Sequence, residues 1–98
     1  MMKLVALWTE PADPDGFDAD YLQTHAALCQ ALPGLVSFSS GRCVSGPFWR
    51  TADLAFESGE TMGAALGGEE GAALLADTER LQTTFGNTLE TLVVTTDG

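Results

Sequence analysis

The sequence predicts a single α+β domain, with four strands in one antiparallel sheet and the helical segments packed on one of its faces. Three observations predict it. Strongly apolar, β-prone runs stand near both ends of the chain, Leu4-Val5-Ala6-Leu7-Trp8 and Leu92-Val93-Val94. Two stretches carry apolar residues at helical spacing, and between them lie two further strand-like runs joined by Ser45-Gly46-Pro47.

Residues 4–9 are apolar on both alternating faces, as in a strand covered from both sides. The breaker cluster Glu10-Pro11-Ala12-Asp13-Pro14-Asp15 follows, with Asp13 or Asp15 as cap of a helix that begins near Phe17. Phe17, Tyr21, Leu28 and Leu32 set the apolar stripe of that helix, widened by Leu22, Ala26 and Cys29, and Pro33-Gly34 ends it. Residues 35–44 and 48–56 read as a hairpin. In its second arm Phe48, Arg50, Ala52, Leu54 and Phe56 share one face, and Trp49, Thr51, Asp53 and Ala55 the other. Residues 59–84 are rich in Ala and Leu but broken at Gly67-Gly68, which predicts a short helix, a kink and a longer helix carrying Ala73, Leu74, Leu75 and Leu81. Residues 89–96 form the last strand. The order is β-α-β-β-α-β, the ferredoxin-like arrangement, over a single domain spanning 1–98.

Length and charge narrow the function classes. A chain of 98 residues buries about two-thirds of its unfolded surface at most, so association is an economical way to cover leftover apolar area. With helices on one face and strands apolar on both, the bare face calls for a second copy of the sheet, and a homodimer is expected. Fourteen acids against four bases leave a net charge of −10, which argues against nucleic acid and anionic membranes as partners. No apolar run reaches the roughly 20 residues of a membrane span, and the first residues lack the pattern of a secretory leader. Cys29 and Cys43 are therefore expected as free thiols in a cytoplasmic protein.

The run Lys3-Leu4-Val5-Ala6-Leu7-Trp8, the Pro- and Asp-rich loop, Phe17, Tyr21 and His25 on the helix, and Leu32-Pro33-Gly34-Leu35 together resemble the EthD family. That family is a branch of the dimeric α/β-barrel group with ferredoxin-like subunits. Ala52-Asp53-Leu54-Ala55-Phe56 and Glu69-Glu70-Gly71 extend the resemblance towards the C-terminus. Two features depart from the family pattern: Ala27 stands where a proline is common, and the turn between the second and third strands is short. The resemblance implies an enzyme or accessory protein of small-molecule catabolism, with isomerases, cyclases and monooxygenases acting on small cyclic molecules among the relatives, and it implies a functional role for the histidine.

His25 is the only histidine and sits one turn after Tyr21, so it is the candidate acid/base for proton transfer on a small cyclic, apolar substrate. Tyr21 is its catalytic neighbour. Trp8, Phe38 and Phe56 are candidate walls for a ring-shaped substrate, with Trp49 as a further aromatic, and Arg50 is a candidate partner for a substrate carboxylate or enolate. Each has a plainer role: core packing for the aromatics, and an ion pair for Arg50 and for Asp53. His25, Cys29 and Cys43 lack the paired spacing of a zinc site, and no metal is expected. Gly67-Gly68-Glu69-Glu70-Gly71 is acidic and lacks the Lys-Ser/Thr of a phosphate cradle, and no dinucleotide fingerprint is present. The chemistry is thus expected to need no cofactor, with a non-catalytic ligand-binding or structural dimer as the alternative and a haem- or flavin-assisted oxygenase as a third reading.

Overall fold

The computed structural model describes residues 1–97. Strands β1 (Met2–Trp8), β2 (Leu35–Arg42), β3 (Arg50–Phe56) and β4 (Leu89–Thr95) form one sheet in the order β2-β3-β1-β4, with every neighbouring pair antiparallel. The helices α1 (Pro14–Asp20), α2 (Ala26–Gln30), α3 (Gly59–Gly67) and α4 (Glu69–Phe85) cover one face. This is the ferredoxin-like arrangement expected from the sequence.

The first helical segment starts three residues earlier than the apolar stripe indicates. Asp13 accepts a hydrogen bond from the Gly16 amide at 3.1 Å, and Pro14, whose missing N–H costs nothing in a first turn, opens the helix. Between α1 and α2 the chain makes a π-helical turn, Tyr21–His25, in which the Ala26 amide donates to the carbonyl of Tyr21 five residues back. The residues this segment buries are Phe17, Tyr21, His25, Cys29 and Leu32; Leu22, expected in the stripe, faces solvent. The break between α3 and α4 falls at Gly67-Gly68, and Ser58 with Thr61 forms a reciprocal cap at the start of α3.

The hairpin turn is wider than expected, running over 43–49, with the Cys43 amide donating to the Trp49 carbonyl at its base. Trp49 consequently leaves the strand alternation. Its indole N–H donates to Asp18 on the helix side, rather than joining Thr51 and Asp53 on the open face.

Along β1 and β3 the helix-facing residues are Met2, Leu4, Ala6 and Trp8, and Arg50, Ala52, Leu54 and Phe56. Two groups make up the interior. Ala52, Leu54, Phe56, Met62, Ala65 and Leu74 pack at one end, and Trp8, Phe17, Tyr21, Leu81 and Phe85 at the other. Each fully buried large side chain contributes about 1.5–3 kcal/mol, so either group carries a large share of a small domain's stability. The open face carries an apolar strip on β1 and β4, with Val5 opposite Leu92 and with Leu7 and Val94 on the same side, bounded by Lys3 and Glu90. It is polar along β2, at Ser37 and Ser39. The expectation of an apolar second face thus holds only for the strip Val5, Leu7, Leu92 and Val94. No helix among the described residues is long and apolar enough to cross a membrane.

Candidate functional site

Between the helices and the sheet lies a cavity of about 260 Å³, at the small end of ligand sites and suited to a molecule of one or two rings. Its floor is Leu4, Ala6 and Trp8 of β1 with Ala52 and Leu54 of β3. Its walls include Tyr21, His25 and Cys29 from the first helical segment and Leu74 and Thr78 from α4. Leu66, Leu75 and Thr91 are exposed members of the lining and mark the mouth.

His25 dominates the chemistry of this space. It is only 4% exposed, stands edge-on to Trp8 at 5.5 Å and lies 5.1 Å from the Tyr21 ring. Its Nδ1 lies 2.8 Å from Asp77 Oδ2, a buried carboxylate on α4. Asp77 Oδ1 accepts from Arg80 Nε at 2.7 Å, and the other two guanidinium nitrogens of Arg80 grip both oxygens of Asp20 at 2.7 and 2.8 Å. A connected chain of hydrogen bonds thus runs His25, Asp77, Arg80, Asp20, from the cavity to the surface.

Electrostatics settles which proton goes where. Burial pushes the Asp77 carboxyl up, but hydrogen bonds from Arg80 and His25 outweigh it, and the group stays below the ordinary carboxylate range. For His25 burial wins: the imidazolium is disfavoured despite the pull of Asp77, and the ring titrates below the ordinary value of 6.5. At neutral pH the pair is therefore a neutral imidazole and an ionised carboxylate. An ionised carboxylate only accepts, so Nδ1 carries the proton and Nε2 holds the free lone pair. Among the described residues the one sealed side-chain polar atom without a partner is Asn87 Oδ1. His25 Nε2 also lacks a protein partner and is not sealed, and it belongs to a side chain that lines the cavity.

The other expected site residues divide. Trp8 and Tyr21 join His25 in the cavity wall. Tyr21 is a neutral phenol, its pKa driven up chiefly by burial. Phe38 and Phe56 do not line the cavity, although both face the helices: Phe56 is wholly buried at the far end of β3, and Phe38 stands beside Leu54 on the edge strand β2, packed on the same group. Arg50 is likewise withdrawn. Its Nε donates to Asp18 at 3.2 Å, and its guanidinium lies 4.9 Å from the Tyr21 ring centre, so its charge is satisfied inside the fold. Asp53 pairs with Lys3 on the open face at 3.8 Å. Cys29 lines the cavity as a neutral thiol, pushed up by burial to about 12, and both cysteines are free. No group of three potential metal ligands converges among the described residues.

Sequence reasoning missed Asp77 and Arg80. One signal was available: Leu74, Asp77, Thr78, Leu81 and Phe85 are spaced by three and four residues, which puts an acid inside the buried stripe of α4.

No family model matches the chain. It is 33% identical over 82 residues, 79% of its length and 80% of the relative's, to an uncharacterised 11.0 kDa protein of the thcB-thcC intergenic region of Rhodococcus erythropolis. Among solved structures it is similar to an EthD (ethyl tert-butyl ether D) family protein of Bacillus halodurans, with a TM-score of 0.88, 28% identity and 99% of both chains covered. SnoaB, a cofactor-independent oxygenase from Streptomyces nogalater, shares the fold at a TM-score of 0.75 and 18% identity, over 99% of this chain and 93% of that one.

Proposed function

Since the chain belongs to the EthD family, we propose that it catalyses proton transfer on a small cyclic, apolar organic substrate held in the cavity, without a cofactor. The observation that carries this reading is the buried hydrogen bond between His25 Nδ1 and Asp77, with Nε2 left free towards an apolar chamber. In this reading Nε2 of His25 removes a proton from an acidic C–H or O–H of the substrate. The imidazolium that forms keeps its Nδ1–H bond to Asp77, whose negative charge stabilises it, and the proton returns from Nε2 to another position of the substrate anion. Tyr21, neutral and in ring contact with His25, orients the imidazole and presents a flat surface to the substrate, with Trp8 as the second aromatic wall.

Asp77, Arg80 and Asp20 act as positioning residues, since none of them reaches the substrate except through His25. The working unit is a homodimer formed through the open sheet face, whose exposed apolar strip includes Leu92 and Val94. The place of action is the cytoplasm, in keeping with the two free thiols.

Solvent deuterium exchange into a panel of small cyclic C–H acids, beginning with 2-tetralone, tests the reading. The chain should accelerate exchange over matched buffer by roughly 10²-fold or more for at least one member, and His25→Gln should abolish the acceleration without unfolding the protein. Equal exchange with and without protein across the panel, alongside tight binding, would favour the ligand-binding dimer instead.

A further inference from the structure

We infer that the cavity selects an uncharged substrate, a ring-sized molecule without carboxylate or phosphate whose acidic O–H or C–H gives an anion delocalised over its own conjugated system. This inference rests on the cavity being the site at which His25 acts.

The chain has four Lys and Arg residues, and each is committed away from the cavity. Lys3 is on the opposite face of the sheet with Asp53. The Arg42 guanidinium is stacked on Trp49 at 4.6 Å. Arg50 is held by Asp18 behind the Tyr21 ring, which screens it from the chamber, and Arg80 is held by Asp77 and Asp20. A carboxylate entering the chamber would therefore meet no fixed cation.

It would meet a net negative cluster instead, because behind His25 the two carboxylates of Asp77 and Asp20 share the one guanidinium of Arg80. The only cation it could find is the imidazolium, and pairing with it would consume the base that the reaction needs. The remaining polar side chains of the lining are all uncharged: the Tyr21 phenol, the Trp8 indole, the Thr91 hydroxyl at the exposed mouth, the Thr78 hydroxyl and the Cys29 thiol. The Thr78 hydroxyl already donates to the Leu74 carbonyl at 2.9 Å, and the Cys29 thiol is protonated. Desolvating an unpaired carboxylate in such surroundings is costly, whereas a neutral ring loses nothing.

The same shortage bears on the substrate's own anion. Apart from the Tyr21 phenol, the Trp8 indole and the imidazolium itself, the lining offers a developing oxyanion only the Thr78 and Thr91 hydroxyls and the Cys29 thiol. A localised alkoxide or simple enolate would be poorly held, and a phenolate or conjugated enolate stabilises itself. The lowered pKa of His25 acts in the same direction, since a weak base needs an acidic proton donor.

Calorimetric titration of the full chain at pH 7.5 with 1-hydroxy-2-naphthoic acid, its methyl ester and its amide tests the inference, with the single imidazole resonance of His25 reporting where each binds. The ester and amide should bind and move the His25 signal. The acid should bind at least about tenfold more weakly and gain on the neutral pair as the pH is lowered. Leu75→Lys, which adds a cation at the exposed mouth, should recover affinity for the acid alone. An acid that binds as well as its ester at pH 7.5 would overturn the charge selection while leaving the site intact. If none of the three moves the His25 signal, the assignment of the cavity as the site and the inference built on it both fall.

Discussion

His25 and Asp77 are 52 residues apart in the chain and 2.8 Å apart in space, and the contact locks α4 to the π turn of the first helical segment. Because Asp77 is itself held by Arg80, the carboxylate cannot rotate away from the imidazole without breaking a second charged bond.

Asp77→Asn keeps the size and planarity of the side chain but removes the charge that supports an imidazolium. Its carboxamide can also present an N–H to Nδ1 and reverse the tautomer. Proton-transfer activity should fall by roughly 10²-fold or more, while the fold persists. Exchange rates of an active substrate, read beside circular dichroism, check this. A variant with near-normal turnover would remove Asp77 from the mechanism.

Acid should destabilise the protein in two stages. His25 titrates below 6.5 when folded, so between its folded value and 6.5 the unfolded chain binds the extra proton, and stability rises with pH through that window. Asp20 and Asp77 lie below 3.8 when folded, so their contribution is complete above 3.8 and is lost as the pH falls through their folded values. Melting temperature should be flat above about pH 7, decline from about 6.5 and decline again below about 4. In His25→Gln the first decline should vanish. Superimposable profiles for the two proteins between pH 7 and 5 would contradict the burial of a neutral imidazole.

Two glycines on neighbouring helices should respond in opposite senses to alanine. Gly63, in α3, has open space where a Cβ would stand, so Gly63→Ala should gain about 0.5–1 kcal/mol from helix propensity. Gly71 begins the closely packed turn after the α3–α4 break, and a Cβ there would collide with the Leu66 carbonyl, which is backbone and cannot swing aside. The same propensity gain is available at Gly71, yet the collision should win, with a loss of about 1–3 kcal/mol. At about 4–8 °C per kcal/mol for a domain of this size, a thermal melt resolves both changes.

Most of the fold was legible in the sequence because its signals are local. Apolar runs mark β1 and β4, Asp13-Pro14 and Pro33-Gly34 bracket the first helical segment, and Gly67-Gly68 breaks the second. Within the site, His25, Tyr21 and Trp8 could be singled out for the same reason: a lone histidine one turn from a tyrosine, following an aromatic strand. What was hidden is long-range. Asp77 reads as one of many acids until α4 is docked, and Arg50 reads as a substrate anchor until Asp18, 32 residues away, is seen to hold it. Phe38 and Phe56 have the right chemistry for a substrate wall, but Phe56 lies at the far end of β3 and Phe38 on the edge strand β2, outside the floor formed by β1 and β3. The π turn has no sequence signature, and it accompanies the burial of His25 and the exposure of Leu22.

The open sheet face gives a direct handle on assembly. Leu92 is 53% exposed and stands opposite Val5 at the middle of the apolar strip. Leu92→Asp should convert a dimer to a monomer in light scattering while leaving the His25–Asp77 pair, on the other side of the sheet, unchanged. A wild-type chain that is monomeric at high micromolar concentration would contradict the proposed dimer.

The central claim is that His25 presents a bare Nε2 to the cavity with Asp77 holding the proton on Nδ1. Nitrogen-15 NMR of the imidazole tests it most directly, since the chain has one histidine and its two ring nitrogens are distinguishable by shift. At pH 7.5 the spectrum should show the neutral Nδ1–H tautomer, titrating below 6.5, with the Nε2 resonance moving when a neutral ring ligand is added. An Nε2–H tautomer, or an Nε2 signal indifferent to every ligand, would make His25 a core residue and leave the cavity without its base.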